Sequence, residues 1–531
     1  MRSKLVLCGL LAALLAAPAT ADVVLDWNEI LLDAIRVDRT PPPRASRAMA
    51  MTNVAVFDAV NGILGGFDPY HVTGPAPAGV SPEAAAAAAA HAVLSALFPA
   101  LQATFDAELA ASLAAVPDGA AKNDGILWGQ EVADAILALR ANDRSAEAVP
   151  YYVPVGARWW VPTLPAFAPA LAPNWPLVTP WTLTSGSQLR SSGPPPLDSP
   201  EFTAAFREVK LLGRVDSTLR TPEQTQIALF WADGAGTATP PGHWLVIAAG
   251  ISLQRNLTLA ENARLFALLS MTVADAAIVS WDHKYAFDDW RPITAIQQAN
   301  TDGNPLTQAD PGWLPLIVTP PFPSFTSGHS TFSASSSRLV AHFFGTDDIS
   351  FSTTSDGLPG VVRSFDRLSQ AGEEAGQSRI YGGIHWQYDN TVGLASGRAL
   401  ADHAFFNFLS PTASPSSCSP SATALCLNGG RFKVEATFNT GSAAGNAQAV
   451  PQNASSGQFW FFQADNTELT VKVLTGCGTN DRFWVFASGL TDVEVQITVT
   501  DTEAGRVRRY FNPGGQAFQP VQDTAAFATC P

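Results

Sequence analysis

The stretch Ser378–Asp389, SRIYGGIHWQYD, sets an arginine, a histidine and an aspartate at fixed spacing. Two upstream segments, Lys284–Pro292 (KYAFDDWRP) and Pro321–Ser330 (PFPSFTSGHS), carry further polar residues. Together the three segments hold two guanidinium groups and one ammonium group, in a chain with only 31 lysines and arginines among 531 residues. Two guanidinium forks and a point charge are suited to a tetrahedral oxyanion. The segments therefore predict an oxyanion site.

The second and third segments also offer backbone donors and titratable groups. Ser327 and Gly328 lie just ahead of a predicted helix, where N–H groups point at an anion and glycine permits close approach. His329 and His385 are then an acid–base group and a nucleophile or metal ligand. If Asp389 lies on the helix after His385, the spacing of four residues puts both on one face. Its carboxylate would then hold the Nδ1–H and aim Nε2 at the anion.

The three segments match the signature K-x6-R-P, P-S-G-H, S-R-x5-H-x3-D. In this the chain resembles the superfamily of type 2 phosphatidic acid phosphatases and vanadium-dependent haloperoxidases. Phe230–Gly234 and Pro240–Trp244 are similar to the bacterial vanadium haloperoxidase-like group, and the resemblance covers most of residues 22–409. One residue departs from the pattern, because Thr326 stands where the family usually has proline, which would stiffen the loop.

The resemblance implies a role for each site residue. The non-bridging oxygens of the oxyanion would be held by Lys284, Arg291, Ser327, Gly328 and Arg379. His385 would be the axial ligand of vanadium, or the phosphorylated nucleophile of a phosphatase. His329 would be the acid–base residue at the opposite apex, and Asp233 would pair with Arg379 and keep it oriented.

The resemblance leaves two chemistries open, because vanadate mimics the geometry of phosphoryl transfer. A haloperoxidase would bind vanadate and use hydrogen peroxide to oxidise halide to hypohalous acid through peroxovanadate, for reaction with a small organic substrate. Lys284 would polarise the bound peroxide. A phosphatase would hydrolyse phosphomonoesters through a phosphohistidine at His385.

Length and two aromatic residues favour the haloperoxidase. The helical region is longer than the compact phosphatases of the superfamily. Trp281 and Phe322 match aromatic positions that line the halide pocket of chloroperoxidases, although core packing would explain them equally well. A third hypothesis, an exported binding or adhesion protein without activity, is disfavoured because the full set of site residues is present.

The texture of the sequence changes near its last quarter. Apolar residues recur at helical spacing over residues 22–410, and this region exceeds the about 250–300 residues that one core usually reaches. Residues 411–424 have the composition of a linker, and residues 425–531 alternate with a period of two, as in Phe432–Phe438. The prediction is a mainly α protein, a helical bundle with two sub-bundles, followed by a small all-β sandwich.

The N-terminus predicts export. Residues 1–21 combine a basic start, an apolar run and a small-x-small cleavage site, typical of a secretory signal peptide. A lipoprotein anchor at Cys8 is disfavoured, because that cysteine lies inside the apolar run. The expected location is secreted or periplasmic, with no later segment apolar enough to span a membrane. A net charge of −15 also argues against nucleic acid and anionic lipid as partners.

Four cysteines remain after the signal: Cys418, Cys426, Cys477 and Cys530. An even number in an exported chain predicts two disulfides, with three pairings left open. A zinc site is disfavoured, because these cysteines form no C-x-x-C pair and no histidine follows His403.

Overall fold

The computed structural model describes residues 22–154 and 156–531, so the predicted signal peptide and Cys8 lie outside the described residues. Helices dominate the first three quarters of the described chain and strands the last. The helices are α1 (Val23–Asp38), α2 (Pro42–Leu64), α3 (Pro82–Leu97), α4 (Gln102–Ala114), α5 (Ala120–Arg140), α6 (Pro200–Leu212), α7 (Pro222–Phe230), α8 (Thr239–Arg255), α9 (Leu259–Phe287), α10 (Pro292–Gln297), α11 (Gly328–Phe344), α12 (Leu368–Tyr381), α13 (Gln387–Asn407) and α14 (Cys477–Asn480).

The strands form three antiparallel sheets. They are β1 (Phe351–Thr354), β2 (Val362–Phe365), β3 (Ala424–Leu427), β4 (Phe432–Asn439), β5 (Ala444–Asn446), β6 (Gln448–Asn453), β7 (Ser456–Trp460), β8 (Leu469–Thr475), β9 (Phe483–Gly489), β10 (Glu494–Asp501), β11 (Arg506–Asn512) and β12 (Val521–Phe527). Strands β1 and β2 make a small hairpin beside the helices, which the sequence pattern did not predict. The other ten strands belong to the C-terminal domain.

Helix α9 is the central element of the helical region. A capping box between Thr258 and Glu261 begins it, and Asp288 ends it in the left-handed conformation. The apolar repeat of residues 256–278 predicts a helix that ends at Ile278, but α9 continues to Phe287 and so carries Lys284. The repeat fades after Ile278 because polar residues follow: Asp282 pairs with Arg190, and Lys284 donates to the loop of the second segment.

Helix α9 also corrects one expectation about membranes. It is long and apolar enough to cross a membrane, whereas the sequence pattern predicts no such segment after the signal peptide. Every residue of the apolar stretch that would span the membrane is buried inside the protein, as in the core helix of a globular domain.

Two clusters of buried apolar residues hold the helical region together. The larger one joins helices from both halves of the region, from α1 to α13. The smaller one includes Trp290, Phe325, Trp386 and Tyr388, which belong to or flank the three sequence segments described above. The backbone that carries the polar residues of those segments is therefore fixed by a closely packed aromatic cluster.

The C-terminal domain is a β-sandwich, as predicted. One sheet has the order β11-β10-β4-β3, with β5 also paired to β4, and the other has the order β12-β9-β8-β7-β6. Phe432 of the first sheet contacts Phe483 and Phe527 of the second, with ring centroids 4.9 and 5.3 Å apart. The disulfides are Cys418–Cys426 and Cys477–Cys530.

The sandwich is fastened to the helices. Within the predicted linker, the N–H of Thr412 donates to the carbonyl of Gly66 and that of Ala413 to the carbonyl of Gly505, each at 2.8 Å. Phe511 of β11 stacks on Phe406 of α13 with centroids 4.6 Å apart. The segment 411–424 is thus tied to both domains.

Candidate active site

The site is built where the ends of five helices, α9 to α13, meet the loop of the second segment. Helix α9 supplies Lys284 near its end, and Arg291 is the N-cap of α10. Ser327 is the N-cap of α11, and its hydroxyl accepts a bond from the N–H of Ser330. Helix α12 carries Arg379 in its last turn. The structure therefore brings the sequence-predicted residues together at helix ends, where backbone groups are free to bind ligands.

Lys284 clamps the loop that carries the serine and the histidine. Its Nζ donates to the carbonyls of Pro323 and Ser324 at 3.0 Å and to that of Thr326 at 2.5 Å. These three bonds use every N–H of the ammonium group. Where the family has proline, the loop at Thr326 is thus held by a buried cation. The expected direct bond from Lys284 to an oxyanion would require one of these carbonyls to be released.

Arg291 lies between the loop and the third segment. Its Nε donates to the carbonyl of Phe322 at 2.8 Å, and its Nη1 donates to the carbonyl of Ile384 at 2.7 Å and lies 3.0 Å from Nε2 of His385. Its Nη2 is buried and has no partner among the described residues. Arg291 therefore keeps one buried donor for a ligand.

Arg379 shows the same pattern. Its Nη1 donates to the carbonyl of Trp231 at 2.9 Å, whereas its Nε is buried without a partner in the described chain. Burial lowers the pKa of Arg379 to about 10, opposed by Asp233, and lowers that of Arg291 to about 9. In both arginines the main cause is the loss of hydration, so an anion bound beside them would stabilise the charged form.

His385 is oriented by the first turn of α13. Its Nδ1 lies 2.8 Å from Oδ2 of Asp389, which also accepts from the hydroxyl of Ser324 at 2.5 Å and from the N–H of Trp386 at 3.1 Å. His385 precedes the helix, so the contact arises from capping geometry and not from a shared helix face. The carboxylate favours the tautomer with Nδ1 protonated, which leaves a lone pair on Nε2.

His329 occupies the second position of α11. Its Nε2 is buried without a partner among the described residues. Burial, and then the charge of Arg379, lower the pKa of His329 well below its usual value. A neutral imidazole with a free Nε2 can accept or return a proton at a bound ligand.

Trp281 and Phe322 pack against each other beside the cations. Their ring centroids are 4.9 Å apart. The Phe322 ring lies 4.9 Å from both Nζ of Lys284 and Cζ of Arg291. The two aromatics therefore form an apolar wall next to positive charge, which is an environment suited to a weakly hydrated anion.

The donor set fits an oxyanion and not a metal cation. Lys284, Arg291 and Arg379 are all at least 98% buried. Burial lowers the pKa of Lys284 well below its usual value, Arg291 lowers it further, and Asp389 and Asp289 oppose this. Over residues 22–154 and 156–531, no three His, Cys, Asp or Glu side chains are gathered as a cation site. An anion would supply the missing negative charge.

Comparisons with known proteins agree with this chemistry. A family model described as the VCPO second helical-bundle domain matches residues 264–412, which contain all three segments. The chain is 27% identical over 484 residues to the vanadium chloroperoxidase of Curvularia inaequalis, covering 69% of this chain and 78% of that protein.

Solved structures show the same likeness. A bacterial vanadium-dependent iodoperoxidase superposes with a TM-score of 0.64 at 29% identity, over 73% of this chain and 97% of that one. The chain is thus similar to vanadium haloperoxidases in sequence and in fold. The apo form of a bacterial vanadium-dependent chloroperoxidase, at 16% identity and a TM-score of 0.55, covers 68% of this chain and 92% of its own and shows the shared fold.

The structure departs from the expected pairing of Asp233 with Arg379. The Asp233 carboxylate forms no ion pair with Arg379. Its Oδ2 lies 3.2 Å from Nδ1 of His243, a histidine outside the three segments. The His243 ring also stacks on Trp231, 4.7 Å away. Asp233 stays near enough to raise the pKa of Arg379 against burial, so it acts on the arginine through space.

Sequence reasoning missed two residues that support the site. Ser324 bonds Asp389, and its hydroxyl lies 3.5 Å from Nδ1 of His385. Asp289 is buried and accepts from the hydroxyl of Tyr388 at 3.1 Å. The sequence signal for both residues is their position inside the three segments. Polar residues there do not alternate with apolar ones, as they would on an exposed surface. His283, beside Lys284, is structural, because both of its ring nitrogens have backbone partners.

Asp389→Asn tests how His385 is oriented. The neutral amide accepts more weakly than a carboxylate, a loss of about 1–2 kcal/mol. We therefore expect inorganic phosphate to bind about tenfold more weakly by calorimetry. The matched control is Asp402→Asn, which alters an Asp–His pair with His342 at 2.5 Å outside the site. Equal phosphate affinity in Asp389→Asn and the wild type would show that the carboxylate does not orient His385.

Proposed function

We propose that the protein is a vanadate-dependent haloperoxidase that uses hydrogen peroxide to oxidise halide to hypohalous acid, which then halogenates a small organic substrate. One observation carries the proposal. Buried polar atoms without partners gather at the residues the family signature names: Nη2 of Arg291, Nε of Arg379 and Nε2 of His329. Unpaired buried donors are costly unless a ligand completes them.

Vanadate fits this donor set. Arg291 and Arg379 would hold its oxygens with their unpaired N–H groups, assisted by the hydroxyl of Ser327 and the backbone of Gly328 at the start of α11. The lone pair on Nε2 of His385, which lies 3.0 Å from Nη1 of Arg291, would be the ligand to vanadium once that contact is released. When bound, vanadate supplies the Lewis-acidic centre that activates hydrogen peroxide toward halide.

The protein's own residues supply proton transfer and exclusion of water. His329, neutral and with a free Nε2, would take a proton from hydrogen peroxide on binding and return it to the leaving oxygen. The charge of Lys284, held 4.9 Å from the Phe322 ring, would draw electron density from the reacting oxygen. Trp281 and Phe322 would keep water from the halide.

The alternative phosphatase activity would use the same residues. The tautomer of His385 also suits a nucleophile, with His329 as the acid for the leaving alcohol. The haloperoxidase is favoured because the curated relative and the solved structures reported above carry haloperoxidase names. The aromatic wall beside the cations favours it as well, since a halide needs such a wall and a phosphomonoester does not.

Export is part of the proposal. Two disulfides in the sandwich suit an oxidising compartment. Residues 1–21 have the pattern of a cleaved signal. We expect the intact mass of the protein recovered from the periplasm or medium to equal that of residues 22–531. A mass that includes residues 1–21 would contradict cleavage.

The activity test uses the full chain loaded with orthovanadate. With hydrogen peroxide and iodide, bromide or chloride, we expect halogenation of an indicator dye. His385→Ala is expected to lower the rate at least a thousandfold, because the ligand to vanadium is lost. The control is His91→Ala, which removes a histidine paired with Asp106 at the surface.

The outcomes of this assay separate the hypotheses. No turnover of any halide by the vanadate-loaded wild type would contradict the haloperoxidase. Hydrolysis of p-nitrophenyl phosphate that vanadate inhibits would establish the phosphatase instead. Neither activity, with no binding of either anion, would favour an inactive binding protein.

The halide wall is tested by Phe322→Ala. Removing the ring admits water to Lys284 and Arg291, so we expect the KM for halide to rise several-fold while vanadate affinity changes less. Phe322→Leu keeps an apolar wall and is expected to stay closer to the wild type. A halide KM that is unchanged in Phe322→Ala would show that Phe322 belongs only to the core.

A further inference from the structure

Ser280 is a buried residue of α9 whose hydroxyl has no partner among the described residues. It lies one turn before Lys284 on the same face of the helix and is 0% exposed. A buried hydroxyl in a helix usually bonds the carbonyl four residues back. Thr272 in the same helix does so, at 2.7 Å from the carbonyl of Leu268. Ser280 does not form this bond, so its hydroxyl remains available to a ligand.

The hydroxyl faces the start of α11. A Cβ built on Gly328 would lie 3.7 Å from Oγ of Ser280, from the Trp281 ring and from the Phe332 ring. The missing side chain of Gly328 therefore leaves a small space bordered by the Ser280 hydroxyl and by two aromatic rings. In that turn the N–H groups of Gly328 and His329 also lack acceptors in the described chain.

We propose that Ser280 is a further binding residue of the site, whose hydroxyl donates a hydrogen bond to an oxygen of the bound oxyanion on the Gly328 side. Serine is uncharged, so this donor adds no repulsion among three buried cations. It also explains why Ser280 keeps an unpaired hydroxyl in the interior of the protein. The inference rests on the proposed oxyanion site and adds a donor that the family signature does not name.

The proposal predicts that replacing Ser280 with alanine weakens anion binding but does not lower the stability of the ligand-free protein. In Ser280→Ala an unpaired buried hydroxyl is removed and alanine is the better helix former, so the protein alone is expected to unfold at the same or a higher temperature. Orthovanadate and inorganic phosphate are both expected to bind about tenfold more weakly. A residue with only a structural role would not give this combination.

The experiment measures the dissociation constants of orthovanadate and inorganic phosphate by calorimetry, together with the melting temperature of each ligand-free protein. The matched control is Ser336→Ala in α11, which removes another unpaired hydroxyl at 0% exposure, seven residues beyond His329. It is expected to share the stability gain and to keep the affinity of the wild type. Ser280→Cys, nearly equal in size but a weak donor, is expected to lose affinity as well.

The outcomes separate this inference from the proposed function. Wild-type affinity for both anions in Ser280→Ala would overturn the inference while leaving the oxyanion site in place. An equal loss in Ser336→Ala would overturn it too, because the effect would then be general. A wild type that binds neither anion would overturn the proposed function itself, and the inference with it.

Discussion

The buried cations of the site constrain everything around them. Lys284, Arg291 and Arg379 lie in the interior, where an unpaired charge is costly. Backbone carbonyls provide most of the hydrogen bonds that stabilise these cations, and three of them accept from Lys284. Those carbonyls are available only if the loop before α11 folds back onto the end of α9. The shape of the loop and the charge of the site are therefore one feature.

This solution leaves selected donors unused. Carbonyl partners satisfy part of each guanidinium, and the remaining N–H of Arg291 and of Arg379 stays buried and open. The aromatic cluster below, which includes Trp290 and Trp386, fixes the segments from behind. The acidic surface implied by a net charge of −15 does not oppose anion binding here, because local cations and helix amides set the potential inside the site.

Much of this could be predicted from the sequence. The spacing of the three segments identified the cations, both histidines and Asp389, and the change of period located the β-sandwich. The sequence predicts the details of single helices less well. It predicts the end of α9 at Ile278, nine residues too early, because the polar side chains of Asp282, His283 and Lys284 break the apolar repeat although all three are buried. Helix α12, LSQAGEEAGQSRIY, was missed because its polar surface hides the periodicity.

Side-chain partners could not be predicted from spacing. Asp233 lies near Arg379 but pairs with His243. The His243 ring is held in place by stacking on Trp231. The position of Ser324 inside the second segment marks it as a candidate, but its bond to Asp389 could not be predicted, since the two residues are 65 positions apart. Such contacts depend on the packing of distant elements, whereas the identity of the cations depends only on the residues themselves.

The most direct measurement is a crystal structure of the full chain soaked with orthovanadate, with vanadium located by its anomalous scattering. We expect one vanadium bonded to Nε2 of His385, with its oxygens contacting Arg291 and Arg379. Vanadium bound elsewhere, or none bound under conditions that saturate other vanadate proteins, would contradict the assignment of this site.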